Sequence, residues 1–245
     1  MIHLLRGTAI CGALIAALPA AAQQLAGGQV DLGFTTYDDI DTDAFTGRLS
    51  GELAVSKTIS LQADLFGASD GNDFSDERFS GGGFTLHSLS HVSPTSSVGG
   101  FMTIERNEGG ENILSYGVEA GGNFGNVGTE IWFALSDNDD DFDGGFGGLD
   151  IRVPVGMAAV TGNFEYYNFD DVIEVSKLGI GMEYDAAQGL TIGGRVERVD
   201  LTLTDPTGLF TLEGDDLAVS VGATYRFGKR PGTVFGRRSL LDAFR

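Results

Sequence analysis

The sequence predicts an all-β chain: a closed antiparallel transmembrane barrel of twelve strands, with short turns at one end and longer acidic loops at the other. Three observations carry this reading. Apolar and polar residues alternate with period two over one segment after another. The connections between segments alternate in length and charge. The chain also opens with a leader of the kind that directs export.

The alternation is the dominant pattern. From Ile59 to Leu65 the apolar residues are Ile59, Leu61, Ala63 and Leu65, separated by Ser60, Gln62 and Asp64. Val127, Ile131, Phe133 and Leu135 share a face, as do Leu178, Ile180, Met182 and Tyr184, and Leu217 to Phe227 repeats the pattern. Successive side chains of a strand point to opposite faces, so each segment has one apolar and one polar side. Twelve segments follow: 28–37, 45–55, 59–68, 78–91, 97–106, 113–124, 127–136, 146–154, 157–168, 172–184, 190–202 and 212–227. Each is about the length that a tilted strand needs to cross a bilayer. Merging or splitting one hairpin gives ten strands or fourteen. No stretch before residue 228 has a comparable helical period, and none after the leader is an apolar run long enough for a transmembrane helix. The 38 glycines lack a three-residue repeat and accompany 17 phenylalanines, which excludes collagen and disorder.

The connections sort into two sets. Short ones are Ser56–Thr58, Val92–Ser96, Gly125–Asn126, Pro154–Gly156 and Asp185–Gly189. Longer ones are Asp38–Asp43, Ser69–Glu77, Asn107–Asn112, Asp137–Asp143, Asn168–Asp171 and Leu203–Thr211. Twenty-two Asp and Glu lie in or beside the longer set, against Asp185 alone in the short one. Short periplasmic turns with longer extracellular loops are the asymmetry of outer-membrane barrels. With the N-terminus at the short-turn end, Phe124, Tyr184, Tyr225 and Phe227 form an inner aromatic rim. Phe45, Phe133, Phe164 and Tyr166 form an outer one. Closure follows from lipid: every backbone N–H and C=O there must be paired within the protein.

Residues 1–22 read as a cleaved signal peptide: Arg6, an apolar run from Ala9 to Leu18, then Pro19-Ala20-Ala21-Ala22. Cys11, the chain's one cysteine, lies inside it, so the mature protein has no disulfide or thiol chemistry. The formal charge of −20 becomes −21 once Arg6 is removed. So acidic a surface repels nucleic acid.

The last strand carries a recognisable octet, Ser220-Val221-Gly222-Ala223-Thr224-Tyr225-Arg226-Phe227. It reads polar, any, Gly, two of any, apolar, any, aromatic, with Ser220, Gly222, Tyr225 and Phe227 at the defining positions, and it resembles the assembly signal of outer-membrane barrels. Together with the leader and the loop asymmetry, it makes residues 23–227 similar to the small porin-like outer-membrane β-barrels of alphaproteobacteria. The resemblance implies a Gram-negative outer-membrane location, contact with lipid and lipopolysaccharide, and insertion by the barrel assembly machinery. In that family this strand usually ends the chain; here eighteen residues follow.

Residues 228–245 differ in composition. Lys229, Arg230, Arg237, Arg238 and Arg245 against Asp242 give net +4, which leaves −25 on 23–227. A basic periplasmic tail is the first expectation, and Ser239–Phe244 could form a short helix. A plug entering the acidic lumen, or a contact with an anionic periplasmic partner, is the alternative.

Alternation sends the polar face inward. The expected pore-lining residues are Arg48, Glu52, Asp64, Glu105, Glu119, Glu130, Asp150, Arg152, Glu165, Lys177, Glu183, Arg195, Glu197 and Arg226, nine acids to five bases. Carboxylates around a lumen favour cations. Inward glycines, among them Gly117, Gly121 and Gly179, leave room, while Phe101, Trp132 and Tyr167 narrow it. The mature chain has only His87 and His91, and their neighbours Ser88 and Ser90 do not make a Ser-His pair with an orienting third group. In Asp137–Asp143, Asp137, Asp139 and Asp141 fit a calcium loop, but Phe142 stands where Gly is needed and Gly148 where the closing Glu is needed. The acidic loop is therefore expected to be solvated, with divalent bridging to lipopolysaccharide phosphates as the alternative. No zinc spacing, phosphate loop or dinucleotide fingerprint is present, so no metal, cofactor or catalytic residue is expected.

These features point to passive diffusion of small hydrophilic solutes or ions, with a weak cation preference. The alternative is a non-conducting barrel with a structural or surface-interaction role through its acidic loops; a hydrolase is a distant third. The solute, and whether barrels associate as homo-oligomers, stay open.

Overall fold

In the computed structural model consecutive strands pair antiparallel, and the last strand closes the ring against the first. The structure describes residues 24–38, 42–72, 78–107, 112–137, 143–169, 172–205, 210–228 and 234–244. The leader and most of the acidic loop residues lie outside these. The twelve strands are β1 (Gln24–Tyr37), β2 (Thr42–Ala54), β3 (Ile59–Asn72), β4 (Arg78–Ser93), β5 (Ser96–Asn107), β6 (Asn112–Phe124), β7 (Val127–Asp137), β8 (Gly144–Val155), β9 (Ala158–Phe169), β10 (Ile173–Ala187), β11 (Leu190–Thr204) and β12 (Thr211–Phe227).

All twelve expected segments are strands, and most run further than alternation alone indicated. Pro154, expected in a bend, is the penultimate residue of β8 and pairs with Ala159. The ladders extend because the turns between them are only two residues long: 94–95, 125–126, 156–157 and 188–189. Gly125, Gly156 and Gly189 supply the left-handed φ values of 64°, 66° and 79° that such tight hairpins need.

The two faces of the wall are chemically distinct. Outward side chains are Leu65, Val118, Ile131, Leu178, Ile180 and Met182, each between 57 and 65% exposed. Inward residues Glu52, Asp64, His87 and Glu105 are at most 1% exposed. An apolar outer belt of this extent over a polar interior suits a bilayer and not water. Phe124, Tyr184 and Tyr225 stand out from the short-turn end of the belt, and Phe45, Phe133, Phe164 and Tyr166 from the other end.

One inward glycine tests the close fit of the wall. A Cβ on Gly117 would lie 2.2 Å from the Phe133 carbonyl oxygen and 2.7 Å from the Phe101 ring. Gly117→Val is expected to cost about 1–3 kcal/mol or more, because backbone, not a flexible side chain, blocks it. The loss would be read as a smaller fraction of heat-modifiable folded barrel on a gel.

Candidate functional site

The lumen is built in layers along the barrel axis. Near the short-turn end, Ser60 on β3 meets His91 Nε2 at 2.8 Å, and Ser97 on β5 meets His91 Nδ1 at 2.8 Å. Glu52 lies 3.4 Å from the same Nε2. The acid therefore shares the serine's side of the ring rather than orienting its far side, and Ser60 is fully buried. The contact ties three strands together and lacks the arrangement of a nucleophile, base and orienting acid. One layer further in, His87 bridges Asp64 at 3.2 Å and Glu119 at 2.7 Å. Arg48 reaches Asp64 at 3.5 Å and Asp31 at 3.7 Å.

The opposite wall carries its own pairs. Arg152 donates to Glu183 at 2.8 Å, Tyr167 to Glu165 at 2.8 Å, Asn163 to Glu197, and Arg226 to Thr191 at 2.8 Å. At the long-loop end the lumen turns apolar. Ile113, Ala134, Phe146, Tyr167, Phe169 and Val175 form a buried cluster, with Val199 and Leu201 against it.

The C-terminal segment lies inside this lumen, so its described residues do not form the basic periplasmic tail that composition first suggested. Phe235, Arg238, Leu240 and Ala243 are at most 4% exposed. Chain direction makes the segment thread the barrel. Gly228 follows β12 at the short-turn end, whereas Leu240 and Ala243 join the apolar cluster at the long-loop end. The terminal 3-10 turn, Leu241–Phe244, is shorter than the helix expected from Ser239.

Polar lumen groups hold the segment's backbone. The Gln62 side chain accepts from the Val234 and Phe235 N–H groups at 3.1 Å each and donates to the Phe235 carbonyl at 2.9 Å. Arg48 donates to the same carbonyl at 2.9 Å. Thr103 donates to the Arg238 carbonyl at 3.1 Å, and Lys177 donates to that of Asp242. Acidic lumen groups take the donors. Glu130 accepts from the Gly236 N–H at 2.8 Å and from Arg238 Nη2; Glu119 accepts from Arg238 Nε at 3.1 Å. Glu105 accepts from the Ser239 hydroxyl and, at 2.6 Å, from the Leu240 N–H. Arg237 pairs with Asp242 within the segment and lies 5.5 Å from the Phe66 ring centroid. The physical reason for insertion is complementarity. Buried carboxylates need donors, and a segment carrying cations and free backbone N–H groups provides them without water.

All fourteen residues expected to line the interior are on the inner face, but the structure divides them. Glu105, Glu119, Glu130, Lys177 and Arg48 grip the segment. Glu52 and Asp64 face histidines, while Glu165 and Glu197 are held by wall partners. Arg48, Asp150, Glu183 and Arg195, together with Asp31, Thr161 and Thr224, line two neighbouring cavities of about 420 and 620 Å³ that share these residues. Arg152 and Arg226 line the larger one, at the short-turn end. The octet residues lie on the closing strand: Ser220 pairs with Thr35, Gly222 with Gly33, Tyr225 with Val30 and Phe227 with Gly28.

Sequence reasoning missed Gln62, Thr85, Thr103 and Asp31 as contacts, because neutral or isolated polar residues carry no pattern of their own. It singled out the tail's charge but not its register on Glu119 and Glu130. Period two did hold the clue that Gln62 and Asp64, Thr85 and His87, and Thr103 and Glu105 share the inner face.

No family model matches the chain, and no curated protein matches it in sequence. Solved structures do match in fold. A structure described as the KdgM porin in complex with disordered oligogalacturonate aligns over 81% of this chain and 99% of its own, with a TM-score of 0.57 at 10% identity. A NanC porin structure covers 80% of this chain and 98% of its own, with a TM-score of 0.59 at 8% identity. The CymD monoaromatic hydrocarbon channel covers 85% and 90%, with a TM-score of 0.51 at 9% identity. At such identities the likeness is one of fold, and the fold is the closed antiparallel barrel of outer-membrane porins.

Proposed function

We propose that this chain is an outer-membrane channel for passive movement of small hydrophilic solutes or ions, narrowed by its own C-terminal segment. The observation that carries the reading is the pair of polar cavities beside that segment, both bounded by β1, β2 and β7–β12. A twelve-stranded ring is wider than the eight-stranded one that wall side chains can fill. The octet on β12 fits insertion by the barrel assembly machinery, and the apolar belt fits contact with lipid and lipopolysaccharide.

The charge on the path favours a weak cation preference. Around the smaller cavity, Asp31, Asp150, Glu165, Glu183 and Asp242 face Arg48, Arg195, Arg237 and Arg238, a balance of −1. Arg238 neutralises part of a lumen that is otherwise more acidic.

Single-channel recording of the refolded mature chain across a salt gradient tests this. The expected result is small conductance steps with a reversal potential slightly toward cation selectivity. Arg238→Ala, which removes the guanidinium from Glu119 and Glu130, is expected to enlarge the steps and the cation preference together.

A second reading has its own observation: the apolar cluster, completed by Leu240 and Ala243, fills the long-loop end. A barrel sealed in this way would act as a non-conducting surface protein. Silence from both native chain and Arg238→Ala, with normal heat-modifiable migration, would establish that reading over the channel.

A further inference from the structure

The contacts of Arg238 describe more than a salt bridge. Glu119 on β6 stands directly across the ladder from Trp132 on β7, and Glu130 lies one inward step along β7. The Arg238 guanidinium sits with its carbon 4.2 Å from the Trp132 ring centroid and 6.0 Å from that of Phe101. Its Nε donates to Glu119 at 3.1 Å and its Nη2 to Glu130. Arg238 is only 1% exposed. Carboxylates at the edges and an indole at the face match a planar guanidinium, and match a spherical ammonium or a metal cation less well. The same residue's carbonyl oxygen accepts from Thr85 at 3.4 Å and Thr103 at 3.1 Å. The wall therefore reads both ends of an arginine.

We propose that Glu119, Glu130 and Trp132, with Thr85 and Thr103, form an arginine-binding site in the lumen, filled here by the chain's own Arg238 and open to a free guanidinium-bearing solute when the segment withdraws. The guanidinium of such a solute takes the place of the Arg238 side chain. Its carboxylate meets the two threonine hydroxyls once the segment has withdrawn; in Arg238→Ala the main chain still covers them, and the guanidinium end alone is recognised. As a step in solute passage, the site rests on the channel reading above; as a binding site, it is testable without it.

The experiment is calorimetric titration of free arginine into the full mature chain carrying Arg238→Ala, in detergent. Saturable binding at millimolar concentration (~1 mM corresponds to about −4 kcal/mol) is expected, with none in the native chain. Adding Glu119→Gln and Glu130→Gln should weaken it at least about tenfold, since both charge-assisted hydrogen bonds to the guanidinium are lost. Lysine should bind more weakly than arginine. Leu240→Asp gives a second titration with Arg238 still present, because a carboxylate in the apolar cluster withdraws the whole segment. Absence of binding in both variants, or binding unchanged by the two Gln substitutions, overturns the site. The bilayer measurement separates the two ideas. A conducting variant that binds no arginine removes the site and leaves the channel. A silent variant that binds arginine keeps the site and removes the channel.

Discussion

Leu240→Asp is expected to expel the C-terminal segment from the lumen while the barrel stays folded. Leu240 is fully buried in the apolar cluster, and its N–H already donates to Glu105 at 2.6 Å. Replacing it removes roughly 2 kcal/mol or more of apolar burial. The new carboxylate would sit without a donor beside Glu105, at a further cost of several kcal/mol. The barrel need not bear that cost, because its twelve ladders are independent of the segment. Withdrawal into water is the cheaper response. Trypsin reports it directly, since Arg237 and Arg238 are shielded in the lumen and become cleavable once outside. Mass spectrometry should then show loss of residues 239–245 in the variant and not in the native chain. Leu240→Met, similar in volume and uncharged, should keep the protection. Cleavage of the native chain at the same rate as Leu240→Asp would mean that the segment is not seated in solution.

Ile131→Arg is expected to destabilise the barrel in lipid by about 2–4 kcal/mol, the cost of a cation near the bilayer midplane. Ile131 is near the middle of β7, 57% exposed on the outer face. Leu149 is its partner on β8, so the new charge would have no acid across the ladder. The inner face provides the contrast. Asp150 lines both cavities, and Asp150→Asn should shift stability by less than Ile131→Arg does, because the amide keeps the side chain's volume and polarity inside the lumen. Equilibrium unfolding of both variants in vesicles measures the difference. Equal stability of Ile131→Arg and the native barrel would sink the bilayer reading of the outer face.

Most of the wall could be read from the chain. Ile59 to Leu65 and Leu178 to Tyr184 announce their inward and outward sides because strand side chains alternate whatever the strand packs against. A register slip of one residue would turn every apolar side chain into the lumen. The turns were legible in kind, and Gly125–Asn126 in length as well. Pro154 suggested a bend, yet the ladder to Ala159 persists because a residue beside a two-residue turn can do without one N–H.

Alternation and charge thus determined the barrel, its lipid and lumen faces and the inward set of charged residues, since each follows from local geometry repeated along the chain; closure of the ring fixed the strand number at twelve. The fate of the last eighteen residues did not follow in the same way. Their basic charge is equally compatible with water, an acidic partner and an acidic lumen. The choice among these rests on contacts between groups far apart in sequence: Arg238 with Glu119 and Glu130, Gln62 with Phe235, and Leu240 with the cluster around Phe169. Those groups meet only once β12 has closed on β1 and Gly228 has left the ring at the rim where the lumen opens. Closure makes the interior a place with carboxylates in need of donors, and the chain's own C-terminal segment is the nearest supply.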